Sequence, residues 1–340
     1  GGNCAVRVVD GQVEHMYGPH IFHTNNKAIW DYLNDIEPFI PYKHRVIAVN
    51  GGLQYDFPIN RHTLIKVLGE HAVYLPAFDE NSFSNFEETA ISRVGEKLYR
   101  LFYHDYTLKQ WGRNPKTLPA ELFSRVPVRF DFDDVYFNDK YTGILNSNIL
   151  FKKMLKGVSL KLNCPFNKRR HEKMARCIIY TGMIDEYMNY CLGRLPYRSL
   201  RFEKQAVEPY GNQGIAVVNY TDARPYTRTC EYGYMYGQFQ KGGFRWFEFP
   251  IGMVDEKGKQ TEPYYPLPID SAKALYQKYI ALAEQYMEGK DTKIFFGGRL
   301  GSYRYINMDQ AVEAALELIE KLCIHNTIKI DKGENDDAGT

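Results

Sequence analysis

The apolar residues near the C-terminus of the chain repeat at helical spacing. Met308, Ala311, Ala315, Ile319 and Leu322 recur every three or four positions. This spacing predicts a helix with one apolar stripe packed against a sheet.

A short apolar run and two glycines precede this helix. Residues 293–296 predict a strand, and Gly297 and Gly298 predict a turn that leads into the helix. Glycine lets a backbone come close to a large planar or phosphorylated ligand, so the segment suggests the floor of a cofactor site. An ordinary loop is the alternative, because short glycine motifs give many false matches.

Similar patterns predict elements elsewhere in the chain. Residues 45–50 and 53–57 flank Gly51-Gly52, which predicts a β-hairpin with a tight turn. Helical spacing from 85 to about 111 predicts a helical insertion, and 271–287 predicts a long helix. After Pro115 the chain is predicted to be extended. Further strands are predicted at 159–162, 175–181, 214–220, 228–235 and 243–249.

Composition excludes several classes of protein. The formal net charge of +2, with scattered Lys and Arg, does not favour nucleic-acid binding. No apolar run approaches the roughly 20 residues of a membrane span, and the N-terminus lacks a signal-peptide pattern, so we expect a cytoplasmic protein. The six cysteines form no CxxC pair, which is typical of reduced, mostly buried thiols.

Aromatic residues make up 15% of the chain, with 27 Tyr and 20 Phe. Tyrosine combines a flat apolar ring with a hydroxyl, which suits a cleft that stacks a ring and hydrogen-bonds a sugar or phosphate. In the segment 129–141, Phe132, Tyr136 and Tyr141 could stack a base. A core stripe at helical spacing is the alternative.

Two segments each place an arginine beside a tyrosine. Arg198 follows Tyr197, and Arg228 lies two residues after Tyr226. Arginine presents planar, permanently charged donors that match phosphate oxygens, and tyrosine adds a hydroxyl, so together the segments suggest a diphosphate clamp. Surface salt bridges are the alternative for each arginine alone.

His20 and His23 follow a Gly-Pro turn. Zinc binding would need further ligands at suitable spacing, and structural histidines are the alternative. No sequence signal stands out for a serine or cysteine nucleophile, a paired-carboxylate site or a P-loop. This pattern favours chemistry carried by a cofactor.

Eight motifs, in chain order, closely resemble those of bacterial UDP-galactopyranose mutases. They are YGPHIFHT at 17–24, KQWGR at 109–113, RVPVRF at 125–130, YTG at 180–182, YRSL at 197–200, PYTR at 225–228, EPYYP at 262–266 and FGGRLGSYRY at 296–305. The resemblance extends from residue 1 to about residue 321. Any one motif is weak, but eight in order are highly specific.

The resemblance implies a flavoenzyme, an isomerase of galactofuranose and cell wall polysaccharide biosynthesis, that interconverts UDP-galactopyranose and UDP-galactofuranose. In that family, N5 of reduced FAD forms an adduct with the anomeric carbon while UDP leaves, with no net redox change. The protein must hold the anionic UDP in place. The implied partners are UDP-galactose or UDP and a second copy in a homodimer, with no nucleic acid and no membrane span.

The resemblance also implies roles for individual residues. The catalytic candidates are Arg198, Arg228 and His23. The substrate-binding candidates are Phe132 and Tyr136 for uridine, with Tyr141 beside them, Arg198, Arg228, Tyr265 and Tyr305 for the diphosphate, and Lys153. The cofactor-binding candidates are Gly1, Gly2, Asn3, His20, His23, Gly298, Arg299, Asn307 and Met308. No metal is implied.

Three features depart from the family pattern. The chain begins at a point that resembles the end of the family's GxGxxG FAD unit, so we expect this chain to bind FAD poorly. Residues 145–148 replace a glycine-rich loop, and Lys152-Lys153 stand where a substrate arginine is expected. The insertion between residues 60 and 85 looks shortened.

The resemblance implies an α/β flavoprotein of the mutase type, with an incomplete Rossmann-like FAD unit, a helical insertion and an antiparallel sheet that binds the UDP-sugar. The predicted boundaries are 1–60 with 290–330 for the FAD unit, 61–125 for the insertion, 126–289 for the UDP-sugar domain and 331–340 for a disordered tail. Two alternatives to the mutase are an inactive UDP-sugar-binding remnant and an amine-oxidase-like flavin oxidoreductase.

Overall fold

The structure, a computed structural model, describes residues 2–69, 84–125, 128–209, 213–238 and 243–324 of the chain. Gly1 and the predicted tail at 331–340 therefore lie outside the described residues, as does most of the insertion between 60 and 85. Among the described helices, none combines the length and the apolar character that crossing a membrane requires.

Most strands of the described chain are short. They are β1 (Val6–Val9), β2 (Gln12–His15), β3 (Phe22–Thr24), β4 (Ile40–Pro41), β5 (Val46–Asn50), β6 (Leu53–Phe57), β7 (Tyr141–Ile144), β8 (Cys177–Tyr180), β9 (Tyr197–Val207), β10 (Val217–Tyr220), β11 (Arg228–Cys230), β12 (Gly243–Ile251), β13 (Tyr265–Pro266) and β14 (Lys293–Phe296).

The helices vary from one turn to five. They are α1 (Lys27–Ile36), α2 (Arg61–Leu68), α3 (Phe86–Leu98), α4 (Asp105–Trp111), α5 (Ser147–Met154), α6 (Lys168–His171), α7 (Ile184–Tyr187), α8 (Asp270–Met287), α9 (Gly298–Gly301) and α10 (Met308–Ile324). A π-helix, Tyr99–His104, joins α3 to α4.

Asparagine side chains cap the start of four of the described α-helices, and in α6 the acceptor is Asn167, which accepts from Arg170 N. Asn26 accepts hydrogen bonds from the first turn of α1, Asn60 from Thr63 N in α2, and Asn85 from Glu88 N in α3. Each side chain satisfies a backbone donor that the helix leaves unpaired.

The largest sheet of the described chain has seven strands in the order β13-β9-β12-β11-β10-β5-β6. Neighbours are antiparallel, except that β10 and β5 are parallel. The fold class predicted from the sequence is confirmed, because helices combine with a large, mainly antiparallel sheet. The predicted hairpin is also confirmed: β5 and β6 are joined by Gly51 and Gly52, both with positive φ.

The chain divides into two compact units. Unit 1 comprises residues 1–160 and 196–272, and contains the seven-stranded sheet, with Ile59, Leu98 and Phe102 among its fully buried side chains. Unit 2 comprises residues 161–195 and 273–340, and contains the parallel pair β8 and β14. The predicted domains are defined by the ligand that each would bind, whereas these two units are defined by their internal contacts. The predicted boundaries therefore stay a prediction.

Several local predictions are wrong. Residues 159–162 form no strand, and Pro115–Thr117 and Ala120–Arg125 are 3-10 helices where an extended chain was expected. The strand predicted at 228–235 ends at Cys230 and is followed by a 3-10 helix. The predicted strands at 175–181, 214–220 and 243–249 and the helix at 271–287 are confirmed with shifted ends.

Two predictions about burial are also wrong. All six cysteines are free thiols, but only Cys230 is buried. The apolar stripe of α10 is incompletely covered, since Leu322 is buried and Ala315 is exposed. Spacing identifies the face that a helix can bury, but not how much of that face finds a partner.

Candidate functional site

Arg198 and Tyr265 lie side by side in unit 1. Arg198 is the second residue of β9, and it pairs with Tyr265 of the short edge strand β13. The ring of Trp111, the last residue of α4, meets the Tyr265 ring edge-on at 6.3 Å between centroids. The two strands and the end of α4 thus bring a cation and two aromatic rings together.

The end of α4 fixes the guanidinium of Arg198. Its Nε donates to Gln110 O and its Nη2 to Lys109 O, each at 3.0 Å. These are carbonyls of the last helical turn, where the helix dipole is negative. In the described part of the chain no carboxylate pairs with Arg198, and burial lowers the pKa of its half-buried guanidinium. Because arginine stays protonated in proteins, the site carries an uncompensated positive charge.

Gly112 makes room for this guanidinium. It ends α4 in the left-handed conformation, with φ of 62°. A Cβ at this position would lie 2.7 Å from Arg198 Nη1 and 2.9 Å from its Cζ. Glycine is therefore required here both by the backbone and by the close approach of the arginine.

Arg228 has a different environment. On β11 it lies opposite Glu248 of β12, and 3.3 Å separates its Nε from Glu248 Oε2. Its Nη2 donates to the Tyr106 hydroxyl at 3.0 Å. Glu248 is buried, and burial raises the pKa of its carboxyl while Arg228 acts in the opposite direction. The charge of Arg228 is thus partly balanced by a carboxylate.

One short helix supports both arginines. Tyr106, in the first turn of α4, contacts Arg228, and the carbonyls of Lys109 and Gln110, in its last turn, accept from Arg198. The tyrosines beside the two arginines come from other elements: the Tyr106 hydroxyl accepts a hydrogen bond from Arg228, and Tyr265 lies opposite Arg198 across β9 and β13. The diphosphate clamp predicted from the sequence stays a prediction. Two cations beside hydroxyls and an indole can bind a phosphorylated ligand.

The three aromatic residues predicted to hold uridine have different neighbours. Phe132 is 54% exposed, and its ring lies 4.8 Å from that of His62 and 5.8 Å from the Arg61 guanidinium. Tyr136 contacts the rings of His44, Phe57 and Phe137.

Tyr141 opens β7, and its ring stacks on Trp30 at 5.5 Å. Like Tyr136 it is half-buried, so these two rings are partly committed to packing, whereas Phe132 presents a largely open face.

Histidines line the same unit. His23 stacks on Phe137 at 3.9 Å and its Nδ1 lies 2.9 Å from Asp139 Oδ2. His20 donates its backbone N–H to Nδ1 of the buried His15. Burial lowers the pKa of both His15 and His44 to about 3, so these two rings are neutral at physiological pH.

Lys153 is engaged at another place in unit 1. It lies on helix α5. Its Nζ donates to Ile36 O and to Glu37 Oε2, each at 2.7 Å. It therefore caps the end of α1. Gly2 and Asn3 lie in an exposed 3-10 helix of unit 1.

Unit 2 holds the glycine-rich segment after β14. Gly298 has φ of 67°, and a Cβ on Gly301 would lie 2.8 Å from Tyr180 O, so the glycines let α9 approach the end of β8. The predicted strand, turn and helix are confirmed.

The candidate residues of this segment follow in order. Arg299 lies 5.0 Å from the Tyr305 ring and donates to Ile306 O at 2.7 Å. Asn307 and Met308 are half-buried at the start of α10. In the next position Asp309 has a buried Oδ1 without a hydrogen-bond partner among the described residues.

Sequence reasoning missed several residues of this site. Trp111 and Lys109 belong to the KQWGR motif, which was noticed but given no role. Glu248 has a signal only in retrospect, as the one acidic residue in an apolar strand. Tyr106 has none, because its contact with Arg228 spans 122 positions of sequence.

Comparisons with known proteins agree with the resemblance. The family model described as UDP-galactopyranose mutase matches residues 101–305. The probable UDP-galactopyranose mutase of Klebsiella pneumoniae is 35% identical over 90% of this chain and 81% of its own length. The dTDP-fucopyranose mutase of Escherichia coli is 34% identical over 93% of this chain and 88% of its own length. A solved structure of reduced UDP-galactopyranose mutase shares the fold, with a TM-score of 0.70 at 14% identity, covering 97% of this chain and 89% of that one.

Proposed function

This chain belongs to the UDP-galactopyranose mutase family, and we propose that it interconverts the pyranose and furanose forms of UDP-galactose as an isomerase. The observation that carries this proposal is that one helix, α4, contacts both Arg198 of β9 and Arg228 of β11, and that Arg198 has no carboxylate partner in the described residues. Such a charge suits an anionic leaving group that must be held while its bond to the sugar is broken and remade.

We assign the UDP diphosphate to Arg198, Arg228 and Tyr265 of unit 1, and the same role for Tyr305, in unit 2, stays a prediction from the resemblance. Arg198 and Tyr265 are adjacent across two strands, and Arg228 is held by Tyr106 and Glu248. Charge-assisted hydrogen bonds to phosphate are about twice as strong as neutral ones. We therefore expect loss of either arginine to weaken nucleotide binding more than loss of a neutral donor.

The uridine is assigned to Phe132 and Tyr136, with Tyr141 beside them. The open ring of Phe132 is available for stacking, at 54% exposure. A role for Lys153 in binding the diphosphate requires its ion pair with Glu37 to open first.

FAD is the cofactor of this proposal. The residues of unit 2 fit such a group, because Asn307 directly precedes Met308, the first residue of α10, and because the buried Asp309 Oδ1, which lacks a hydrogen-bond partner among the described residues, can accept a ligand N–H. Gly298 and Arg299 of this unit are its further proposed contacts. The cofactor roles of His20, His23, Gly2 and Asn3, which lie in unit 1, stay predictions from the resemblance. When bound and reduced, FAD supplies the nucleophile for the anomeric carbon.

The identity of the hexose has a second candidate. Identity to the dTDP-fucopyranose mutase of E. coli is 34%, against 35% for the Klebsiella mutase. The two sets of substrates share a diphosphate and differ at the base, at carbon 2′ of the pentose and at carbon 6 of the hexose. The arginine site serves both, so the choice between them must be measured.

Chromatographic conversion of the furanose sugars tests the function. Because we expect this chain to bind FAD poorly, dithionite-reduced FAD is supplied in excess, and we expect the purified protein then to convert UDP-galactofuranose to UDP-galactopyranose, consuming no reductant per turnover. Preference for dTDP-fucofuranose would support the second candidate. Binding of UDP without any conversion would support the inactive remnant, and net oxidation of an amine would support the flavin oxidoreductase.

Two further proposals concern the state of the protein in the cell. The six free thiols suit the reducing cytoplasm. The homodimer implied by the resemblance is a proposal that light scattering of the purified protein can test.

A further inference from the structure

Lys109 makes an unusual set of contacts beneath the arginine site. Its Nζ lies within hydrogen-bond distance of three backbone carbonyls, those of Tyr220 and Asp222 at 2.8 Å and of Tyr226 at 3.1 Å. An ammonium group has three N–H donors, so each can be used by one carbonyl. A single half-buried lysine is thus hydrogen-bonded to three carbonyls of one segment, residues 220–226.

Lys109 is held by dipoles rather than by a carboxylate. No ion pair to it is present in the described part of the chain, although Asp222 and Asp105 lie near enough to favour its charge and Arg224 to oppose it. Tyr220 and Tyr226 pack edge-on against each other at 4.8 Å in the same stretch of chain. The geometry therefore depends on the donors of the ammonium and not on a salt bridge.

Lys109 is linked to both arginines, to one through its main chain and to the other through its side chain. The backbone carbonyl of Lys109 accepts from Arg198 Nη2 at 3.0 Å. The segment that its side chain gathers ends at Tyr226, two residues before Arg228. Lys109 is therefore hydrogen-bonded to Arg198 through its main chain. Through its side chain it is hydrogen-bonded to the segment 220–226, which lies just before Arg228.

We propose that Lys109 is a positioning residue that sets the spacing between Arg198 and Arg228, and so the fit of a diphosphate between them. The inference rests on the proposed function, because it takes both arginines to bind one diphosphate. Lys109 itself uses its three donors on the backbone and contacts no phosphate.

The three hydrogen bonds of Lys109 Nζ depend on pH, because they need all three N–H donors of the ammonium group. A neutral amine has two N–H groups, so one of the three carbonyls loses its partner when Lys109 is deprotonated. Burial lowers the pKa of Lys109 to about 8. We expect the affinity for UDP to fall as the pH rises from 7 to 9, by on the order of threefold to tenfold.

Whereas the affinity for UDP should fall as the pH rises, the contribution of Lys109 to the free energy of unfolding should rise with pH above about pH 8. Because the pKa is lower in the folded state than its ordinary 10.5, the unfolded chain binds more protons between about pH 8 and 10.5. The contribution of Lys109 to stability therefore rises with pH there. A fall in UDP affinity above pH 8 would therefore not come from a loss of the stability that Lys109 contributes.

Calorimetry with UDP at pH 7 and pH 9 tests the proposal. We expect Lys109→Met to bind UDP roughly tenfold more weakly at pH 7. Lys109→Arg keeps its charge and donors at both values, so its affinity should not fall between them. The control is Lys97→Met, since Lys97 is exposed and donates to the single carbonyl of Val67. UDP affinity of this control should be unchanged.

Each outcome decides between specific alternatives. Unchanged UDP affinity in Lys109→Met, or an equal fall with pH in the wild type and Lys109→Arg, overturns the inference alone. A wild type without measurable UDP affinity contradicts the proposed function, and the inference falls with it. If Lys109→Met does not fold, the pH profiles of the wild type and Lys109→Arg still decide.

Discussion

Arg228 and Glu248 face one another across β11 and β12, with 3.3 Å between the arginine Nε and the carboxylate Oε2. Arg198, by contrast, is held in the described chain by two backbone carbonyls of α4 and by no carboxylate. The two arginines therefore have different roles. Arg228 is fixed by a buried counter-charge, and Arg198 carries the charge that attracts an anion.

Replacing Glu248 by glutamine should destabilise unit 1. The change keeps the size of the side chain and leaves Arg228 without its counter-charge. We expect a loss of about 2 kcal/mol in the free energy of unfolding, less than for a fully buried pair because Arg228 is 29% exposed. Urea denaturation measures this loss. Glu203→Gln, at an exposed position on β9, is the control, and an equal loss in both variants would refute the role of Glu248.

Replacing Gly112 by alanine should weaken UDP binding by displacing Arg198. The added Cβ would lie 2.7 Å from the guanidinium. Gly69→Ala is the matched control, since Gly69 also ends a helix with φ of 62° but a Cβ there meets nothing within 4 Å. Both variants should lose stability, Gly112→Ala by about 1 to 2 kcal/mol for its left-handed backbone and Gly69→Ala by more, because its ψ of −136° lies in a region that only glycine adopts readily. Only Gly112→Ala should lose UDP affinity in calorimetry, and an equal effect of both would rule out the collision.

The sequence predicts the seven-stranded sheet only in part. The hairpin of β5 and β6 is local, and its two glycines and flanking apolar residues identify it. The 11-residue strand β9 was missed, because its exposed half is polar and its partners are β12 and β13, far along the chain. Pairing between distant strands is decided by packing, which periodicity does not report.

The candidate site shows the same limit. Arg198 and Arg228 could be singled out because arginine beside tyrosine suggests phosphate binding. That Glu248 balances one arginine and only backbone carbonyls hold the other follows from β-sheet register and from the position of α4. Neither is encoded in a local motif.

Buried neutral histidines should make the fold sensitive to acid. Burial lowers the pKa of His15 to about 3 from its ordinary 6.5, so the unfolded chain binds more protons between these values and stability falls as the pH drops from 6.5 to 3. His15→Gln should reduce this fall by about 1.4 kcal/mol per pH unit. Unfolding free energies at pH 6 and pH 5 measure the slope. The control His62→Gln removes an exposed histidine, and a slope unaltered by His15→Gln would contradict this account.

The affinity of Arg198→Ala for UDP tests the central claim most directly. Calorimetry at neutral pH should show a loss of about 1.5 to 3 kcal/mol, the worth of a charge-assisted hydrogen bond, with no comparable loss in Arg201→Ala, which removes an exposed arginine from the same strand. Wild-type affinity for UDP in Arg198→Ala, with the protein folded, would contradict the proposal that Arg198 binds the diphosphate.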